Sequence, residues 1–111
     1  MQIVHNEANG IATLAFKGRM DAAMAIETER AVNEILNGDN KRLIFDLGGL
    51  EYLSSYGLRI ILKSTKRMRL KGGNLVLCSL IDNVKEVFDV CGFGANIPIA
   101  DSVESGVKAL S

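Results

Sequence analysis

Polar and apolar positions change period several times along the chain, and each change marks an element. From Gln2 to Phe16 two extended runs are joined by Asn9-Gly10, a dipeptide that accepts positive φ at both centres of a tight hairpin turn. Gly18 is expected to end the second strand, and Asp21 stands where its carboxylate can cap a helix running from about Ala22 to Asn37 and stopping at Gly38. Val32, Ile35 and Leu36 give that helix an inner face. Arg42 to Leu47 is a short, mostly apolar run that ends at Gly48-Gly49, as expected of a strand covered on both faces.

After Ser54-Ser55 the period becomes helical. Leu58, Ile61, Leu62 and Thr65 recur at three- and four-residue spacing, Arg59, Lys63, Lys66 and Arg67 fall between them, and Gly72-Gly73 ends the run. Asn74 to Ser79 reads as a strand, and Asp82 to Cys91 as a helix with Val84, Val87 and Phe88 inward, closed by Gly92. Asn96 to Ile99 reads as a last strand. Asp101 or Ser102 can cap a final helix carrying Val103, Val107 and Leu110, with Glu104 set to answer Asp101 in a capping box.

The order β-β-α-β-α-β-α-β-α predicts an α/β fold: an N-terminal hairpin followed by βα units in a mixed, mostly parallel sheet, with about four helices packed against it. At 111 residues, residues 1–111 are expected to form one domain. Such sheets place ligands at the carboxyl ends of strands, where helix N-termini present unpaired N–H groups, and the expected loop from Gly48 to Tyr56 lies at such an end.

Composition narrows the classes. Apolar residues make up 48% and charged residues 23%, which fits a globular chain, and the formal net charge of zero argues against a general nucleic-acid binder. No basic start is followed by an apolar run, and no eighteen consecutive apolar residues occur, so neither export nor membrane insertion is expected. Cys78 and Cys91 have no metal-ligand spacing and read as reduced core thiols, in keeping with a cytoplasmic setting.

Catalysis is hard to assemble from these residues. The one histidine, His5, lies in an outer hairpin strand far along the chain from Ser55, so a nucleophile with a placed base is not expected. Asp21, Asp46 and Glu51 suit caps and turns better than general acid-base work, and no GxxxxGK[ST] or GxGxxG pattern is present. Neither catalytic nor metal-ligating residues are assigned. The basic run Arg59, Lys63, Lys66, Arg67, Arg69 and Lys71 contains no acid. It reads as a solvated face favourably placed toward the negative end of its helix, or as a secondary docking surface for an acidic partner.

The most specific signal is Asp46-Leu47-Gly48-Gly49-Leu50-Glu51-Tyr52-Leu53-Ser54-Ser55-Tyr56-Gly57-Leu58. It resembles the STAS family, in particular the stand-alone anti-sigma-factor antagonists, with their strand, loop and helix start ending in a serine, a small residue and Gly-Leu. Gly18-Arg19-Met20-Asp21 and Gly72-Gly73-Asn74-Leu75-Val76-Leu77 match two further family patterns in the right order, so the resemblance covers essentially the whole chain. The family's phosphorylated serine falls on Ser55, with Ser54 as the rival acceptor.

The resemblance implies a switch without a cofactor of its own. Unphosphorylated, the module would bind an anti-sigma factor or serine kinase of the GHKL ATPase type through Asp21, Leu53, Ser54, Ser55, Tyr56, Gly57 and Leu58. Phosphorylation would end that contact and a metal-dependent serine phosphatase would restore it, ATP and magnesium belonging to the kinase. The alternative within the family is a subunit docked constitutively on a transporter ATPase or larger signalling assembly; a small hydrolase is the reading from another class. Three positions depart from the common pattern: Ser54 stands for aspartate, Tyr56 for a small residue and Gly48 for serine.

Overall fold

A computed structural model describes residues 2–90, 92 and 97–111. Strands β1 (Gln2–Ala8) and β2 (Ile11–Met20) form an antiparallel hairpin, and a 3-10 turn (Ala22–Met24) leads into α1 (Ala25–Leu36). There follow β3 (Arg42–Leu53), α2 (Ser55–Leu70), β4 (Asn74–Cys78), α3 (Asp82–Val90), β5 (Ile99–Ala100) and α4 (Val103–Leu110). The expected element order is the observed one. Cys91 and the expected start of the last strand at Asn96 lie outside the described residues.

One five-stranded sheet runs in the order β1-β2-β3-β4-β5, antiparallel at its first pair and parallel thereafter. Strand order equal to chain order means that each crossover steps in the same direction. Right-handed crossovers must then fall on one face. Accordingly α1, α2 and α3 supply Val32, Leu36, Leu58, Ile61, Met68, Val84 and Phe88 to one core with Leu14, Phe16, Phe45 and Leu77 of the sheet. On the opposite face α4 covers a smaller cluster of Ile11, Ile44, Val76 and Cys78 through Val103, Val107 and Leu110. Alternation along β3 explains both: Leu43 and Phe45 point to the large core and Ile44 between them to the small one.

The hairpin turn is as expected, with Asn9 at φ 54° and Gly10 at φ 78°. Two strand ends are not. Gly18 does not break β2, which continues to Met20, and Gly48-Gly49 do not end β3, which continues to Leu53. The expected loop from Gly48 to Tyr56 is largely strand. Both glycine sites lie where β2 and β3 pair irregularly: Lys17 faces Gly49 and Gly18 faces Leu50, with register shifts on either side. Gly18 sits at φ 105° and a Cβ on Gly49 would stand 3.1 Å from the Phe16 carbonyl oxygen. Glycine here admits bulges and close backbone approach within a continued ladder.

Caps differ in one further place. At α4 the Ser105 N–H donates to Ser102 Oγ at 3.1 Å, so Ser102 is the cap and the expected Asp101–Glu104 box does not form.

Candidate functional site

Strand β4 pairs with β3 only as far as Asp46, so beyond that point β2 is the one described strand that β3 pairs with, through Met20 beside Leu53. The Ser54 N–H continues this pairing by donating to the Met20 carbonyl at 3.0 Å. Asp21 and the Ser54-Ser55 pair, thirty-odd positions apart in sequence, are thereby neighbours. From the other side, Asn83 at the start of α3 donates its side-chain amide to the Glu51 carbonyl at 3.1 Å.

The two serines have different roles. Ser54 has extended backbone at φ −80°, ψ 169° and its Oγ accepts the Gly57 N–H at 3.2 Å, the N-cap arrangement of α2. Ser55 is the first residue of the helix and is exposed. Asp21 behaves as expected of a cap, its Oδ1 accepting the Met24 N–H at 3.1 Å, although the turn it caps is 3-10 and the α-helix starts at Ala25.

Of the other residues expected at the contact surface, Tyr56 is 53% exposed, whereas Leu53, Gly57 and Leu58 are buried. Those three shape the surface from beneath. A Cβ on Gly57 would lie 2.6 Å from Met20 Sδ and 2.7 Å from Leu53 Cδ1, so the bare glycine lets the first turn of α2 settle onto the ends of β2 and β3. The serines owe their position to that close approach.

Ile26 was not among the residues expected at the site, and it is 74% exposed on α1. With Tyr56, Arg59, Ile60, Lys63 and Glu29 it lines a shallow groove of about 160 Å³ between α1 and α2. Its signal in the sequence was phase: the buried stripe of α1 runs through Thr28, Val32 and Leu36, and Ile26 falls outside it. An exposed isoleucine beside an exposed tyrosine makes an apolar patch next to Ser55.

The basic run on α2 divides. Arg59 keeps its guanidinium carbon 5.8 Å from the Tyr56 ring centroid. Lys63 pairs with Glu29 at 3.5 Å, and Arg67 donates to the side-chain oxygens of Asn33 and Asn37 at 2.6 and 2.7 Å. Lys71 donates to the carbonyls of Leu36 and Gly38, where α1 ends, at 2.9 and 2.6 Å. Lys63, Arg67 and Lys71 are thus a polar clasp between two helices, a different role from the solvated or docking face expected for them. Lys71 also satisfies carbonyls that the helix end leaves open.

His5 is exposed on β1, within 3.7 Å of Glu7, and belongs to the hairpin away from the α2 start. Cys78 is buried, and desolvation, reinforced by the Asp46 charge, raises its thiol from 9.0 to about 11. It stays protonated at neutral pH and is a poor nucleophile. Among the described residues no group of three or more His, Cys, Asp or Glu is placed to hold a metal, and no helix is long and apolar enough to cross a membrane.

A hairpin followed by parallel βα units, with an exposed hydroxyl at the head of the second helix, is the architecture of a STAS domain. The STAS domain family model matches residues 2–106, and the chain belongs to that family. It is 34% identical over 109 residues to a Bordetella bronchiseptica protein provisionally named as the anti-sigma factor antagonist BtrV, covering 98% of this chain and 94% of that one. In fold it is similar to an anti-sigma factor antagonist from Mycobacterium paratuberculosis, at TM-score 0.91 and 17% identity over 98% of this chain and 92% of the other. It is likewise similar to the Bacillus antagonist SpoIIAA. The unphosphorylated form gives TM-score 0.79 at 16% identity, covering 97% and 96% of the two chains, and the phosphorylated form 0.75 at 14%, covering 97% and 99%.

Proposed function

We propose that this chain is an anti-sigma factor antagonist that works as a phosphorylation-controlled binding switch with Ser55 as the acceptor. The observation that carries the reading is the division between adjacent hydroxyls: Ser54 Oγ is engaged in the helix cap while Ser55 stands exposed one residue later. The names of the relatives point the same way, since SpoIIAA is known in unphosphorylated and phosphorylated forms.

In this account the unphosphorylated surface around Asp21, Ser55, Tyr56 and Ile26 packs against a cytoplasmic anti-sigma factor or GHKL-type serine kinase. That partner lets go of its other client. The kinase then transfers the γ-phosphoryl group of magnesium-bound ATP. A bond forms from Ser55 Oγ to phosphorus, the bond to the β-phosphate oxygen breaks, ADP leaves, and the hydroxyl proton passes to a base on the kinase. A metal-dependent phosphatase reverses the state by spending water on the phosphoester and releasing inorganic phosphate. The chain itself contributes recognition and an acceptor, not catalysis.

The helix can hold the modified serine because a dianion at a helix start meets the positive end of the dipole. The contact cannot, because a surface that packed against a neutral hydroxyl must now desolvate close to two negative charges. If that costs about 3–5 kcal/mol, affinity falls by roughly two to four orders of magnitude.

The test is calorimetric titration of the partner kinase into Ser55→Ala and Ser55→Asp, with intact-mass analysis after incubation of the native chain with kinase and ATP. One added phosphate on Ser55, tight binding by Ser55→Ala and a loss of at least about a hundredfold in Ser55→Asp are expected. Equal affinity of the two variants, with no phosphate gained, would replace the switch by constitutive docking on a transporter ATPase or a larger assembly.

A further inference from the structure

Resting on phosphorylation at Ser55, we infer that Arg59 is the side chain that receives the phosphate within the same molecule, and that in doing so it leaves the ring of Tyr56. Ser55 and Arg59 are four residues apart on α2, the spacing that places two side chains on one helix face with Cβ atoms about 5–6 Å apart. Both are exposed. Among the described residues the one interaction of Arg59 is with Tyr56, while Lys63, Arg67 and Lys71 are engaged with α1. The first turn of α2 holds no acidic residue to compete for the guanidinium. The Gly57 N–H already donates to Ser54 Oγ, so one N–H of the helix start is taken, and a guanidinium adds a charged donor to those that remain.

At 5.8 Å from the ring centroid the guanidinium sits near the outer limit of a cation–π contact. A phosphate dianion one turn away offers charge-assisted, bidentate hydrogen bonds to the same fork. Arg59 therefore moves to the phosphate. Tyr56 then loses its cover at the rim of the groove it shares with Ile26 and Ile60, so the modification changes the setting of an apolar anchor as well as adding charge.

The experiment uses the full chain with phosphoserine installed at position 55 during translation, and follows the second ionisation of the phosphate by phosphorus NMR as pH is varied. The native sequence, Arg59→Met and Arg59→Lys are compared. The phosphate of the native chain should ionise roughly half a pH unit lower than that of Arg59→Met, with Arg59→Lys between them. Tyr56 ring resonances should move on phosphorylation toward those of unphosphorylated Arg59→Met. Coincident titrations for the native chain and Arg59→Met would overturn the inference. Because the phosphoserine is supplied without a kinase, that failure would leave Ser55 as an acceptor standing; conversely, a chain that no kinase modifies would still titrate as described.

Discussion

At the C-terminal end of α2, Arg67 and Lys71 are bonded to four acceptors on or just beyond α1, whereas at the N-terminal end Ser55, Tyr56 and Arg59 turn outward with Ile26 as their exposed neighbour. A single amphipathic helix thus has one end tied into the fold and one end left to the solvent. The charge that reads in the sequence as a solvated face or a secondary docking surface belongs mostly to the tied end, and the function is proposed for the other. What separates them is satisfaction: polar groups already bonded within the molecule have little to gain from a partner, and those still hydrated can exchange water for one.

The comparison is sharpened by substitutions that should affect stability at one end and recognition at the other. Arg67→Ala removes two charge-assisted hydrogen bonds from a half-buried guanidinium and should lower unfolding free energy by about 1–2 kcal/mol in urea denaturation, without altering affinity for the proposed partner. A loss of affinity instead would break the division. Ser54→Ala deletes the cap and should cost about 1 kcal/mol in the same measurement, while intact-mass analysis still finds one phosphate on Ser55. Lys63→Ala gives up only an exposed ion pair with Glu29, and its unfolding midpoint should shift by less than about 0.5 kcal/mol equivalent, a difference that vanishes in high salt.

The element order, the Asn9-Gly10 hairpin and the inner faces of α1, α2 and α3 were all legible in the pattern of the sequence, because burial imposes a period on every element it covers. The two long strands were not. Gly18 and Gly48-Gly49 look like punctuation in isolation, and only the facing partner strand shows that they accommodate a bulged stretch of ladder. The same limit applied to the basic run, since Asn33, Asn37 and the end of α1 lie some thirty residues away from the side chains they bind. At the candidate site, the motif pointed to Ser55, with Ser54 as its rival. Their separation into a cap and an exposed neighbour rests on where α2 begins, a one-residue distinction that pattern reasoning does not resolve. Ile26 is readable from its phase on α1, where it falls outside the stripe of Thr28, Val32 and Leu36.

Giving the capping hydroxyl to Ser54 has a bearing on how such modules diversify. Since the helix does not depend on the side chain at position 55, a duplicated gene could change that codon alone and still encode a product that folds. On the switch proposed for Ser55, copies held permanently in one signalling state and copies under kinase control would then lie a single mutational step apart.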